Sequence, residues 1–363
     1  MFDVAVIGAG MAGLVCAQQL SQAGYKVVIV EKSRGLGGRV ATRRLHGTCA
    51  DHGLRYLQPK GNLLQHLVQV LCERHLLQVW TDTYEHSPEQ QLKSATESPC
   101  YVAQDGMSAI AKFLATGLEI WLNQRVQALT LTGDNFWSLE LSNANTESGT
   151  SQELTAGAVV IAIPAPQALM LLEPLAETGL NSVFLENLRA VEFDPCLSVI
   201  AGYPAEVHQP IWKAVTFLDD PDLAWIGLDS SKRMLAGQPV FVVQSSAGFA
   251  QRYLEAQDLH PAGRQLLARA SKHLQPWLDT PDWMQVHRWR YAFASRPWHE
   301  THLSVDSLPL VCCGDWCGGA SSRSFSMSCT QVESAMLSGL AAAEQINCQL
   351  QQRSLPGNNF FDF

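Results

Sequence analysis

The sequence predicts an α/β chain: a mostly parallel central sheet with a β-meander, joined to a second, discontinuous α+β domain built on an antiparallel sheet. Three observations predict it. A strand–turn–helix–strand unit punctuated by glycine opens the chain, a strand–glycine–helix unit lies near its far end, and Pro-bounded β-type segments recur between them.

Residues 3–39 read DVAVIGAGMAGLVCAQQLSQAGYKVVIVEKSRGLGGR. An apolar strand over 4–7 enters a turn carrying Gly8, Gly10 and Gly13. A helix-patterned stretch follows with Met11 and Ala12 in its first turn, and a second apolar strand over 26–30 runs into Glu31 and Lys32. This is G-x-G-x-x-G in its full context, with the acid at the expected distance. Gly8 allows the tight turn, Gly10 lets the backbone approach a pyrophosphate, and Gly13 lets helix and strand pack closely. Amides at the helix N-terminus hold phosphates, and Glu31 accepts from a ribose hydroxyl while repelling a 2′-phosphate. A Rossmann-type dinucleotide domain is therefore expected. The following G-L-G-G-R, with Gly38 and Arg39, is a second glycine turn ending in a cation, which a plain NAD domain does not need. It resembles the turn of glutathione-reductase-type flavoproteins, and the resemblance implies FAD with Arg39 neutralising phosphate charge.

The matching half lies over 308–317. The apolar LPLVCC runs into Gly314-Asp315-Trp316, and a helical pattern begins near Gln331 with Val332, Ala335, Met336, Leu340 and Ala341 on its apolar face. In flavin folds such an Asp binds a ribityl hydroxyl. The helix N-terminus, here Gln331 and Val332, points at the flavin pyrimidine and favours negative charge there. Between the two ends, 124–131 (with Val126 a further cofactor contact) and 135–141 are expected strands, and the polar stretch 142–153 a hairpin tip. The stretch 158–163 is a strand stopped by Pro164, and Ala165–Leu172 a helix. Together they make a three-stranded meander returning to the central sheet. Segments over 198–202, 224–228, 240–244 and 284–291 are expected strands of the second sheet. The division is 1–60, 103–165 and 305–348 for the FAD-binding domain, 61–102 and 166–304 for the substrate-binding domain, and a flexible tail over 349–363.

The chain's 363 residues are 47% apolar and 16% charged, enough for a large core, and the net charge of −9 argues against nucleic acid or an anionic membrane as partner. The first strand begins at once, which leaves no room for a targeting peptide, and the longest apolar stretch, over 156–172, is broken by Pro164 and Pro166. A soluble, cytoplasmic protein without a membrane anchor is expected. The ten cysteines form no C-x-x-C pair, H-E-T-H at 299–302 is one residue short of zinc-peptidase spacing, and no G-x-S-x-G is present. Neither a metal site nor a hydrolase is expected.

Several segments point more narrowly. VIGAGMAG (6–13), GLGGRVATRR (35–44) and QVESAMLSGLAAAEQI (331–346) are shared by many flavin oxidoreductases. CADHGLRYL (49–57), WIGLDSSK (225–232), HRWRYA (287–292) and CGDWC (313–317) complete the set. With these motifs the chain resembles the renalase branch of the flavin amine-oxidase-like superfamily over nearly its whole length. It departs at Gly53-Leu54-Arg55-Tyr56, where the family usually has Gly-Ala-Gln-Tyr, and in the long Ser-rich stretch 318–330. The resemblance implies non-covalent FAD and a small-molecule donor, a dihydronicotinamide dinucleotide (an NAD(P)H isomer) with O2 as acceptor. With one nucleotide fingerprint only, such a donor has to enter the substrate cavity.

Flavin chemistry asks the protein to stack the donor carbon near the ring and exclude water. Tyr56, Trp225, Trp289 and Tyr291 are the expected walls, with Arg55 as an electrostatic clamp. Arg290 alternates to the other strand face, and His52 is read as a loop residue. Two alternatives stand beside the dihydronicotinamide oxidase: an amine oxidase or desaturase-type flavoenzyme on the same scaffold, and a flavin-bearing binding protein without turnover.

Overall fold

A computed structural model describes residues 1–81, 83–87, 92–94, 99–144, 152–178, 180–234, 237–319 and 329–361. The opening strand Phe2–Ile7 lies between two parallel neighbours, Val27–Val30 on one side and the second half of Gln152–Ile161 on the other. Glu119–Trp121 extends the sheet beyond Val27–Val30, and Leu310–Cys312 pairs parallel to Gln152–Ile161. Near-continuous Val, Ile and Ala make these short strands suitable for burial on both faces. Gln124–Leu131 and Trp137–Asn143 pair antiparallel, and the first half of Gln152–Ile161 completes the meander. One ten-residue strand thus serves both ladders, which is why it starts well before the expected residue 158. Both flanking strands run into the expected hairpin tip, to Asn143 and from Gln152; residues 145–151 lie outside the described residues.

The helix Met11–Gln22 is not amphipathic: every residue from Met11 to Leu20 is buried. The sheet covers part of it, and the helix Cys329–Gln349 packs against it at Gly339, where a Cβ would sit 2.4 Å from the Ala12 carbonyl oxygen. Buried Gln18 satisfies its amide on the carbonyls of Leu114 and Thr116. The expected loose tail is instead docked. Phe360 and Phe361 are fully buried in the same core, Gln19 Nε2 donates to the Gly357 carbonyl, and Arg353 lies over the Tyr25 ring. The polar run QLQQRS hides a short aromatic anchor, since two phenylalanines suffice to fill one gap.

The second sheet takes its strands from residues 83–94 and 192–296. Its order runs from Trp283–Arg296 through Glu192–Gly202, Val240–Ser245, Leu223–Leu228 and Ala214–Phe217 to Thr83–His86 and Lys93–Ser94. The pairing is antiparallel except between Ala214–Phe217 and Thr83–His86. Two strands are far longer than expected, Glu192–Gly202 and Trp283–Arg296, and Pro195 does not end the first. It sits at a register shift between Asp194 and Cys196, where a bulge removes the need for its N–H. One face carries Leu197, Val199, Ile226 and Val243 against the helices Ala247–Arg252 and His260–His273. The other, with Ile200, Val242 and Trp225, faces the first core. Among the described residues no helix is long and apolar enough to cross a membrane.

Candidate functional site

The glycine turn is shaped by backbone collisions. Gly8 has φ +105°, and a Cβ there would lie 2.7 Å from the Ala162 carbonyl oxygen; a Cβ on Gly13 would lie 2.1 Å from the Gly8 carbonyl oxygen. Gly10 is the opposite case, because a Cβ built there meets nothing within 4 Å. The open side of Gly10 fronts the start of Met11–Gln22, which has no side-chain cap and no acid in its first turn. Amides of Met11, Ala12 and Gly13 therefore lack helical partners, and an uncapped N-terminus beside open space fits a pyrophosphate. Gly38, at φ +54°, sets the second turn against the first, so that a Cβ built there would lie 3.7 Å from the Gly10 Cα.

Glu31 closes this cradle. Its carboxylate accepts from the backbone N–H of Ala9 and of Ser33, each at 2.8 Å, and keeps lone pairs for a ribose hydroxyl. The strand carrying buried Val126 starts beside it, with Gln124 N donating to the Glu31 carbonyl. Lys32 points outward to Gln167. At the other end Arg39 forms a bidentate pair with buried Asp315 at 2.7 and 2.5 Å and donates to the Ala292 carbonyl. Charge-assisted forks of this kind are directional. The N–H of Gly314 donates to Ser338 Oγ, which fixes the glycine–aspartate turn against the helix Cys329–Gln349, whose first turn carries Gln331 and buried Val332.

From Arg39 the chain reaches the second sheet. The N–H of Leu54 donates to the Arg39 carbonyl, and residues 52–55 then lie across the inward face of the sheet. Trp225, Gln244, Ser198 and His287 occupy one lateral row, each paired with the next across four strands, a span of about 14 Å. Ser198 Oγ and Trp289 Nε1 both donate to the His52 carbonyl. Gln244 Nε2 donates to the Gly53 carbonyl, and Gln244 Oε1 accepts from Arg55 Nε at 2.6 Å. Arg55 is buried over the Trp225 ring, its guanidinium carbon 5.1 Å from the centroid, and burial pulls its pKa down to about 10. The indole of Trp225 fits because Gly227 lacks the Cβ it would strike.

Below the loop sits a buried charge network. Lys232 Nζ is 2.7 Å from Asp229 and 3.3 Å from Asp51, Arg233 reaches both carboxylates, and Lys232 also donates to the Arg55 carbonyl. Burial alone would raise the pKa of Asp51, but Lys232, Arg233 and the donors Thr42 and Met107 N–H hold it low. None of these four charges was singled out from the sequence. The signals that could have found them are the D-x-x-K-R spacing at 229–233 and an Asp before the glycine of A-D-H-G.

Of the expected wall residues, Arg55, Trp225 and Trp289 come together here. Tyr56 has its ring against Trp80 and Tyr291 against Phe193, at the two ends of the assembly. Arg290 points away and pairs with Glu255. His52 is a loop residue, as expected, just beyond the strand that ends at Asp51, but it is buried, stacked on Trp289 and edge-on to His287. Of the Ser-rich stretch, 320–328 lies outside the described residues. Two open clefts lie elsewhere, one of about 370 Å³ beside Pro59 and Tyr101 and one of about 1000 Å³ beside Arg44, Lys112 and Arg233.

Comparison with known proteins agrees with this architecture. A family described as an NAD(P)-binding Rossmann-like domain matches residues 6–71. Another, described as flavin containing amine oxidoreductase, matches residues 75–347. Among solved structures, putrescine oxidase with bound putrescine superposes with a TM-score of 0.66 at 14% identity, covering 96% of this chain and 99% of the other. Cyclohexylamine oxidase from Brevibacterium oxydans IH-35A gives the same four values. At such identity the likeness is one of fold. L-amino-acid oxidase of Mus musculus is 56% identical over 41 residues, 11% of this chain and 6% of that protein. Achacin of Lissachatina fulica is 29% identical over 163 residues, 41% of this chain and 26% of that protein. The matched pieces are thus a small part of the length of these relatives. The cofactor is FAD, held without a covalent bond, and the chain belongs to the flavin-containing amine oxidoreductase family.

Proposed function

We propose that the chain is an FAD-dependent oxidoreductase that removes a hydride from a carbon next to nitrogen in a small donor, an amine oxidase-type reaction. The observation that carries the reading is the polar row Trp225–Gln244–Ser198–His287 facing residues 52–55, reached directly from the Arg39–Asp315 end of the dinucleotide cradle. FAD supplies the two-electron acceptor. The first-turn amides of Met11, Ala12 and Gly13 hold its pyrophosphate, Glu31 takes a ribose hydroxyl, and Arg39 and Asp315 serve a phosphate and a ribityl hydroxyl. Trp289 offers its indole to the donor, and the sealed seam of residues 52–55 excludes water from beneath it. His287 is neutral near pH 7, because burial, Arg43 and Arg288 lower its pKa to about 4. With so weak a base at hand, an amine enters as its free base.

A second reading, the renalase-like one, has its own support. Asp51 and Asp229 are consumed by Lys232 and Arg233, while Arg55 and Arg43 add positive charge near the wall. That balance suits a donor with a neutral ring nitrogen and phosphates, such as a 2- or 6-dihydronicotinamide dinucleotide, better than an ammonium ion. O2 would then reoxidise the cofactor. Anaerobic visible absorbance of the purified holoprotein, titrated with amines and with the 2-, 4- and 6-dihydro isomers, tests both readings. Bleaching by amines sustains the first, bleaching by the 2- or 6-isomer the second, and no bleaching by any of them overturns both.

A further inference from the structure

Glu333 belongs to one helix and completes another. The helix Asn62–Glu73 starts at Gly61 with no side-chain cap of its own and no acid in its first turn. Glu333, one residue beyond Val332 on the helix Cys329–Gln349, fills that gap. Its Oε2 accepts from the Leu64 N–H at 2.7 Å, the amide that an N-cap side chain would take. The place is kept free for it. A Cβ on Gly61 would lie 2.2 Å from Glu333 Oε1 and 2.4 Å from its Cδ. Gly61 has φ −99°, which any residue can adopt, so the carboxylate and not the backbone accounts for a glycine here.

The tie joins two elements that converge past the dinucleotide cradle. Cys329–Gln349 meets the cradle helix at Gly339, against Ala12, and the glycine–aspartate turn at Ser338, against Gly314. Its first turn stands about 14 Å further along at 1.5 Å per residue. Glu333 marks where that turn arrives: beside Gly61, which follows closely on the seam of residues 52–56 in the chain. FAD extends from its pyrophosphate through the ribityl chain to the ring. A pyrophosphate at Gly10 and a ribityl hydroxyl at Asp315 therefore send the ring toward the gap between this first turn and the seam.

We propose that Glu333 is a positioning residue for the flavin: by capping the neighbouring helix it pins the first turn of 329–349 beside the ring and so sets the reduction potential. The inference deepens the proposed function and rests on it for the placement of FAD, though not for the nature of the donor. Reduction leaves the ring with extra negative charge, and the positive end of a helix stabilises that charge only at close range. A first turn that drifts from the ring withdraws this stabilisation, and the potential falls. Glu333 touches neither flavin nor donor in this account; it acts through the backbone that it holds.

The test reads the midpoint potential of the FAD-loaded protein, by anaerobic reduction against a reference dye, and needs no donor. Glu333→Ala and Glu333→Gln both lack the charge, but the Gln oxygen can still accept from Leu64, so their difference reads position alone. Glu333→Ala should lie about 30 mV below Glu333→Gln, a tenfold shift in the two-electron equilibrium and the size of one lost hydrogen bond. Gly61→Ala keeps the charge and pushes the carboxylate from its place, and should fall as far below wild type. Gln69→Gly loosens the same helix at an exposed position, and should lower the melting temperature with the potential unmoved. Equal potentials in Glu333→Ala and Glu333→Gln overturn the proposal, as does an unmoved potential in Gly61→Ala. An equal fall in Gln69→Gly also overturns it, because Glu333 would then be a structural cap and no more. Should Glu333→Ala fail to fold, Gly61→Ala against Gln69→Gly decides in the same way. If no donor class bleaches the flavin while the potentials shift as expected, the proposed function fails and the Glu333 assignment stands.

Discussion

The glycine cradle and the seam of residues 51–56 are built on opposite plans. In the cradle, three glycines within six residues fix the path, two of them because a Cβ would strike backbone, and the third leaves space that the protein itself does not fill. In the seam, side chains fix the path, and they come from residues 146, 191 and 237 positions away. One region is a local backbone shape waiting for a ligand; the other is a set of distant polar groups that satisfy each other. Damage should therefore show differently: as lost cofactor in the first, as lost stability in the second.

The largest effect is expected in the seam. Lys232→Met removes the cation shared by Asp51 and Asp229 and leaves a buried negative charge against Arg233 alone, which should cost about 3–5 kcal/mol. Urea denaturation would measure it, and a loss under about 1 kcal/mol would mean that the network is not truly dry. Phe361→Ala comes next, at about 3 kcal/mol or more for an aromatic emptied from the core. An unchanged urea midpoint there would return the C-terminal segment to a loose tail.

The cradle gives a sharper contrast. Gly10→Val should abolish flavin retention while the apoprotein melts within a few degrees of wild type, since its Cβ meets no protein atom. Gly13→Ala should lower the apoprotein's own melting temperature, because its Cβ would lie 2.1 Å from the Gly8 oxygen. A fully yellow Gly10→Val protein would remove the pyrophosphate assignment.

A pH slope separates the two regions in another way. The folded pKa values of His52 and His287, about 3 and about 4, lie below the unfolded value near 6.5. Between those limits the unfolded chain binds more protons, so stability is full above about pH 6.5 and falls as the solution is acidified toward pH 4. Replacing either histidine with Leu should flatten that slope in a series of melting curves, and an unaltered slope would mean the rings are protonated in the fold.

The same contrast explains what the sequence disclosed. Gly8, Gly10, Gly13 and Glu31 were legible because a short-range pattern maps directly onto a backbone shape. Ala165–Leu172 was legible for the same reason, with Pro164 setting its start. Pro195 misled because proline normally ends a strand, and only the partner strand reveals the bulge that accepts it. His52 was legible as a loop residue but not as a buried one, because its burial depends on Trp289 and His287, which no local pattern ties to it. The tail misled because two phenylalanines in a polar run count for little in composition and for much in a closed core.

The close approach of Gly339 to Ala12, together with the anchoring of Phe360 and Phe361 in the same core, sets an order of events in the cell. The cradle helix leaves the ribosome well before its two covering elements, 329–349 and 357–361, which are synthesised more than 300 residues later. At translation rates of roughly 5–20 residues per second, the nascent N-terminal unit waits tens of seconds with an apolar helix unburied. Full burial of that helix, and with it a finished cradle, is then a late event.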